Sequence, residues 1–408
     1  MATWKWLKGG LSAPKGFLAS GVKAGVKYEN KYDVALIYSE QPAQAAGVFT
    51  RNRVKAHPLL LTRQQLSNGV AQAVVMNSGN ANSCVGEAGD RAALAMVRQT
   101  AQELGVPPED VLVASTGVIG VEMPMERIAG GIHAAAQEIL MMSSAGAHEE
   151  SAHRAALAIM TTDTLVKEFA CELPCADGVI RVAGIAKGSG MIHPNMGTLL
   201  GFVTTDADIP AEELRRLLSE SVEDSFNMVT VDGDTSTNDM VVALANGASG
   251  IRPDGEVWPE FAAMFKALCV KLAQEIARDG EGASKFLSVH VHGAKSKEDA
   301  RKIAKSVCGS SLVKTAFFGE DANWGRILCA AGYAGADFDP DQTDIFLGSV
   351  QVAASGQGLA FSEEEAAKIL AHKEISVFLR LHEGDAVATA WGCDLTHEYV
   401  TINGSYRT

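Results

Sequence analysis

No stretch of the 408 residues approaches the ~18–20 consecutive apolar residues of a membrane-spanning helix. Residues 1–8, with Lys5 between the two tryptophans and Lys8 after Leu7, lack an apolar core and a small-residue cleavage site, so no secretory leader is expected. Positive charge is short: 35 Lys+Arg face 49 Asp+Glu, a formal net charge of -14. That balance excludes the basic footprint of a nucleic-acid binder and argues against docking on an anionic membrane. Proline is scarce, 12 against 40 glycines, which points to tight turns rather than stiff linkers. The seven cysteines (Cys84, Cys171, Cys175, Cys269, Cys308, Cys329, Cys393) form no Cys-x-x-Cys pair. The nearest spacing, Cys171 to Cys175, has no second pair and no histidine beside it. Reduced thiols in a cytoplasmic protein are expected, without a zinc site.

What is present is ordinary globular material, 47% hydrophobic and 21% charged, enough for two or three domains or one large α/β unit. Strands are expected at 34–38, 73–76, 111–114, 166–173, 178–185, 287–292, 375–381, 386–391 and 399–402, and in a buried run starting at Thr198. Helices are expected at 90–104, 125–141 and 148–160, and after Asp208 as N-cap, with Leu214, Leu217, Leu218 and Val222 on one face. The clearest amphipathic helix carries Phe261, Met264, Phe265, Leu268, Cys269, Leu272 and Ile276 and stops at Asp279-Gly280. There is no internal repeat and no clean βαβαβ period. The fold class is mixed α/β (α+β).

Several familiar sites are missing: no P-loop, no Gly-x-Gly-x-x-Gly after a strand, no Gly-x-Ser-x-Gly elbow, no His-Glu-x-x-His. Lys187-Gly188-Ser189-Gly190 precedes a strand, whereas a phosphate cradle precedes a helix. His290 and His292 share one strand face without a carboxylate or third histidine nearby, which reads as solvated histidines. Asp232-Gly233-Asp234 with Asp239 lacks the 12-residue calcium-loop pattern and reads as a structural turn. No metal is expected. Gly197-Thr198 is different. A Thr hydroxyl after Gly, behind a Gly-rich loop, can attack the preceding carbonyl in an N-to-O acyl shift, and hydrolysis frees the α-amine of Thr198. That amine, with a reference pKa of about 7.7–8.0, can serve as base for its own hydroxyl. On its own such a step is far more often just the ordinary start of a strand.

The surrounding text resembles the ArgJ family of ornithine acetyltransferases over essentially the whole chain. The resemblance runs through Ala46-Gly47-Val48-Phe49-Thr50-Arg51-Asn52, Asn77-Ser78-Gly79-Asn80-Ala81-Asn82 and Ser115-Thr116-Gly117-Val118-Ile119-Gly120. It continues in Met160-Thr161-Thr162-Asp163-Thr164, the run from Lys187 to Leu200, and the run from Thr230 to Asp239. It closes with Asp279-Gly280-Glu281-Gly282-Ala283-Ser284-Lys285, Asn323-Trp324-Gly325-Arg326 and Asn403-Gly404-Ser405-Tyr406-Arg407-Thr408. Gly197 stands where the family usually has Ala before the nucleophile.

The resemblance implies an ArgJ/DmpA-like fold of mixed sheets and packed helices, self-cleaved between Gly197 and Thr198 into an α chain, 1–197, and a β chain, 198–408. These chains would pair as a heterodimer and further as α2β2. It implies that Thr198 carries the acetyl group from N2-acetylornithine to glutamate, with Thr116 and Gly117 holding the oxyanion. Substrate-binding positions by resemblance are one of Thr161 and Thr162, then Lys187, Thr198, Glu281, Asn403 and Thr408. Lys187 suits an α-carboxylate; Glu281 suits either the ornithine amine or the amine of the nucleophile. No cofactor is implied, and acetyl-CoA as a further donor, which some members use, stays open. Two other readings remain: a self-cleaving amidohydrolase or aminopeptidase, and a non-enzymatic binding protein with an uncut Gly197-Thr198.

Overall fold

In the computed structural model, which describes residues 4–142, 148–193 and 199–405, the apolar runs pair into two mixed sheets. The readings on Gly197, Thr198 and Thr408 lie outside the described residues. Among those described, nine strands form the first sheet: β1 (Lys5–Leu7), β2 (Phe17–Val22), β3 (Val34–Phe49), β4 (Val70–Asn77), β5 (Val111–Ser115), β6 (Lys167–Cys175), β7 (Gly178–Lys187), β8 (Leu200–Thr205) and β10 (Met240–Ala245). Their order is β1-β6-β7-β8-β10-β3-β4-β5, with β2 also on β3. β8 and β10 are parallel, as are β4 and β5, and the other pairs are antiparallel. Every residue of β8 and β10 is buried, as expected for strands covered on both faces.

The second sheet contains β9 (Val229–Thr230), β11 (Phe286–Ala294), β12 (Asp344–Leu347), β13 (Val350–Ala354), β14 (Gln357–Gly358), β15 (Glu374–Arg380) and β16 (Ala386–Cys393), in the order β14-β13-β12-β15-β11-β16-β9. The helix Val257–Arg278 joins the two sheets. Its Phe261, Phe265, Leu268, Leu272 and Ile276 share one core cluster with Val182 and Val203 of the first sheet and Leu287 and Val289 of the second. Each such fully buried side chain contributes ~1.5–3 kcal/mol of transfer free energy. The helices Glu87–Leu104 and Met125–Met142 cover another face through Met96, Val97, Ile128 and Ile132. The helix Glu149–Ala158 lies tight on β2: a Cβ at Gly21 would meet the Arg154 carbonyl oxygen at 2.1 Å. Among the described residues no helix is long and apolar enough to cross a membrane.

Three local expectations need correction, and a fourth, the strand read from Thr198, starts outside the described residues. The strand read at 34–38 continues to Phe49, because the chain passes Ser39-Glu40-Gln41-Pro42 with a register shift between Tyr38 and Ala43 instead of turning. Asp208 does not cap the next helix. Pro210 holds the N-cap position, with its fixed φ just ahead of Ala211–Glu223. The strand read from Thr198 is described only from Leu200. Residues 399–402, read as a strand from Tyr-Val-Thr-Ile, lie in the helix His397–Ser405. The Thr396 hydroxyl accepts from Glu398 N at 3.1 Å and Tyr399 N at 3.4 Å, satisfying two first-turn donors and overriding β propensity.

Candidate active site

The first wall of the site is the turn after β5. Ser115 Oγ donates to Asn77 Oδ1 at 2.6 Å, and Thr116 N donates to Asn77 O at 3.0 Å, which ties the turn to the end of β4. Asn238 Nδ2 donates to Ser115 O at 2.8 Å and to Ala81 O at 2.6 Å, bridging this turn to the segment before β10. Gly117 has φ +131°, and a Cβ there would meet Gly79 C at 2.4 Å and Asn80 N at 2.6 Å. Only glycine fits both the conformation and the approach.

The second wall is the end of β7. The β7–β8 register pairs Lys187 with Leu200, so the connection holding Gly197-Thr198 leaves and returns at neighbouring points. Lys187 Nζ lies 3.4 Å from Thr116 Oγ1 and 4.0 Å from Asp163 Oδ2. Below it is a buried ion array. Lys167 Nζ, fully buried, donates to Asp163 Oδ1 at 2.8 Å and Asp279 Oδ2 at 2.5 Å. Asp163 also accepts from Thr161 N at 3.0 Å and Gly188 N at 2.6 Å, so one carboxylate ties the Thr161-Thr162 loop to the Lys187 loop. Asp279 accepts from Thr164 N and the Thr164 hydroxyl, clamping the end of the long helix to the same loop. Burial pushes the Asp163 carboxyl up, but Lys167 and Lys187 together outweigh it and hold it below the usual carboxylate range. Burial pushes Lys187 down, with Asp163 opposing.

The third wall comes from the other half of the chain. Glu281 follows the long helix and is 8% exposed; its N–H donates to Ser189 O at 3.0 Å, and its Oε2 accepts from Asn403 Nδ2 at 2.8 Å. Gly190 lies flush on that carboxylate, since a Cβ there would stand 2.2 Å from Oε2. Asp232 accepts from Met191 N at 2.6 Å, Ile192 N at 2.8 Å and Tyr399 OH at 3.3 Å. Burial, then the Asp232 charge, pushes the Tyr399 hydroxyl up. His193, the described histidine nearest the junction, donates or accepts at Thr230 Oγ1 over 2.9 Å, and burial brings it down to about 4, so it is neutral at pH 7.

These walls enclose a cavity of about 250 Å³, the size of a small amino-acid derivative. Thr116, Gly117, Thr161, Thr162, Lys187, Glu281 and Asn403 all line it, together with Leu199 and Leu200. Both Thr161 and Thr162 face it, so the choice between them stays open. Lys187 and Glu281 are both buried, not solvated surface charges. Asp163, Lys167, Asn238, Asp239 and Tyr399 were not read from sequence as site residues. Only the i, i+4 spacing of Asp163 and Lys167 hinted at their pairing; Asp279 joins Lys167 from 112 residues away. His290 stacks on Phe378 at 4.7 Å between ring centroids, so it is packed rather than simply solvated. Among the described residues no group of three His, Cys, Asp or Glu is placed to hold a metal, the turn at Asp232-Gly233-Asp234 included. All seven cysteines are unpaired.

The profile of the ArgJ family matches residues 18–408. The arginine biosynthesis bifunctional protein ArgJ of Symbiobacterium thermophilum is 54% identical over 409 residues, covering 99% of this chain and 100% of the relative. The protein of the same name from Caldanaerobacter subterraneus is 49% identical, covering 98% and 99%. Among solved structures, an ArgJ chain from Bacillus halodurans shows 45% identity and a TM-score of 0.49, over 50% of this chain and 98% of that one. An ornithine acetyltransferase chain from Mycobacterium tuberculosis, complexed with ornithine, shows 39% identity and a TM-score of 0.44, over 48% and 100%.

Proposed function

The chain belongs to the ArgJ family, and from that premise we infer that it is an acetyltransferase of arginine biosynthesis. It moves the acetyl group of N2-acetylornithine to glutamate. The chain cuts itself between Gly197 and Thr198, and the α chain 1–197 and β chain 198–408 stay together around one site, pairing further as α2β2. Acetyl-CoA is a second donor to glutamate, in line with the bifunctional relatives. The observation that carries this reading is the convergence, on one amino-acid-sized cavity, of residues contributed by stretches as distant as Thr116 and Asn403.

Catalysis is acyl transfer in two halves. Thr198 attacks the acetyl carbonyl, and its freed α-amine takes the hydroxyl proton. Negative charge develops on the carbonyl oxygen, where the Thr116 hydroxyl and the Gly117 N–H act as donors. Such a donor contributes a few kcal/mol because it is already oriented. The Asn77, Asn80 and Asn238 contacts hold that turn without reorganisation. Lys187 binds the substrate α-carboxylate, and Glu281, steadied by Asn403, meets an amine. Ornithine leaves, glutamate enters, and its amine attacks the acetyl-Thr198 ester.

Two changes follow from this geometry. Gly117→Ala forces Gly79 and Asn80 away and misaims the oxyanion donor, and a fall in kcat of about 10²–10³ is expected with little change in KM. Steady-state kinetics of a folded variant checks it. Lys187→Met removes a buried charge that Asp163 only partly compensates. The thermal midpoint should hold or rise slightly, while KM for acetylornithine and glutamate rises at least tenfold. A large loss of midpoint with unchanged kinetics would assign Lys187 to the fold instead. The overall reading is tested by measuring N-acetylglutamate formed from acetylornithine and from acetyl-CoA. Acetate release that ignores glutamate would mark a hydrolase.

A further inference from the structure

Two buried carboxyls line the cavity, Glu281 and Asp239, and the second is used by none of these roles. Asp239 directly precedes β10, lines the cavity and is 2% exposed. Its Oδ2 is buried and has no hydrogen-bond partner among the described residues. Leaving a buried acceptor unmade costs ~1–3 kcal/mol, so such an oxygen in a folded site asks for a partner that arrives with the ligand. The neighbouring carboxylates are already engaged. Asp163 holds Lys167, Asp232 holds Tyr399 and two backbone N–H groups, and Glu281 holds Asn403.

We propose that Asp239 is a catalytic residue of the transfer reaction, the group that exchanges a proton with the amine nitrogen of the amino-acid substrates. The proposal rests on the acetyl-transfer reading above. An acceptor amino acid arrives as an ammonium, which has no lone pair for attack. Its first proton passes to the Asp239 carboxylate. The freed nitrogen then forms the bond to the acetyl carbonyl carbon, the bond from that carbon to Thr198 Oγ breaks, and the second proton goes to the departing Oγ. One proton remains on the amide nitrogen. In the donor half the order reverses: Asp239, now a carboxylic acid, protonates the ornithine nitrogen as the C–N bond breaks, and the proton that the Thr198 α-amine took from the hydroxyl passes to the same nitrogen, so ornithine leaves as an ammonium and the α-amine is free again. One proton is taken and one returned per cycle, so no further reactant is required.

A group that alternates in this way must reach both forms near neutral pH. Burial pushes the Asp239 carboxyl well above the usual range, with Ser236, the Lys187 charge and the Leu199 backbone opposing. The other titratable groups around the cavity are Glu281, Asp232, Asp234 and Tyr399, with Asp163 behind Lys187.

The test compares two donors on the mature enzyme and on Asp239→Asn. Acetylornithine has an amine leaving group that needs a proton; p-nitrophenyl acetate has a phenolate leaving group that does not. In the variant, single-turnover ornithine release should fall by about 10²–10⁴, while the nitrophenolate burst stays within a few-fold. Equal losses with both donors, or unchanged ornithine release, would overturn the proposal. A wild-type enzyme acylated by the ester but never by acetylornithine would instead defeat the donor assignment. Should Asp239→Asn not fold, wild-type pH profiles decide. Ornithine release should decline on the alkaline side, where Asp239 loses its proton, and the ester burst should not; identical profiles for both donors would overturn the proposal.

Discussion

Thr198→Ala is expected to remain a single chain of 42.9 kDa and to lose acetyl transfer by about 10⁴-fold or more, the scale on which a covalent nucleophile is lost. Both effects have one origin. The hydroxyl that attacks the carbonyl of residue 197 during maturation is the hydroxyl that attacks the acetyl carbonyl in turnover. Wild-type protein should run as two bands in denaturing electrophoresis, and the variant as one. Thr198→Ser keeps a hydroxyl and should keep both activities in reduced measure. Two fragments from Thr198→Ala, starting and ending at this junction, would remove Thr198 from the cleavage chemistry.

Lys167→Met should be the most damaging change away from the reacting atoms. Lys167 is fully buried and is the cation between Asp163 and Asp279. Removing it leaves two buried carboxylates facing each other, a loss of about 3–5 kcal/mol. Urea denaturation should show the midpoint fall, and transfer should fall with it, because Asp163 then releases Thr161 and Gly188. The acid side of the stability curve tests the same array. Asp163 has its carboxyl held below its unfolded value, so its contribution is complete above about pH 4 and is lost as the pH falls through the folded value. In Lys167→Met that acid-side loss should begin at higher pH.

Much of this was legible in the sequence because it is local. The helix Val257–Arg278 announces itself through the helical spacing of Phe261, Phe265, Leu268, Leu272 and Ile276, β5 through its apolar run and β11 through its alternation. The residues gathered at the cavity were named from motifs that carry the family resemblance. What stayed hidden was set by contacts distant in sequence. Nothing local says that Lys167 is buried between Asp163 and Asp279, or that Glu281 sits under Asn403 rather than in solvent. Asp239 looked like the end of a turn, and only its burial and an Oδ2 without a partner among the described residues set it apart. The segment 399–402 misled for the opposite reason. Its side chains favour a strand, but the Thr396 cap and the pull of Tyr399 to Asp232 and Asn403 to Glu281 hold it helical.

The central claim is that the acetyl group rests on Thr198 between donor and acceptor. Exposing the mature enzyme to acetylornithine without glutamate, quenching in acid and mapping the β chain by mass spectrometry tests it directly. One acetyl group on the hydroxyl of Thr198, discharged when glutamate is added, is the predicted result. An unmodified Thr198 under conditions where ornithine is released, or an acetyl group carried on another side chain, would contradict it.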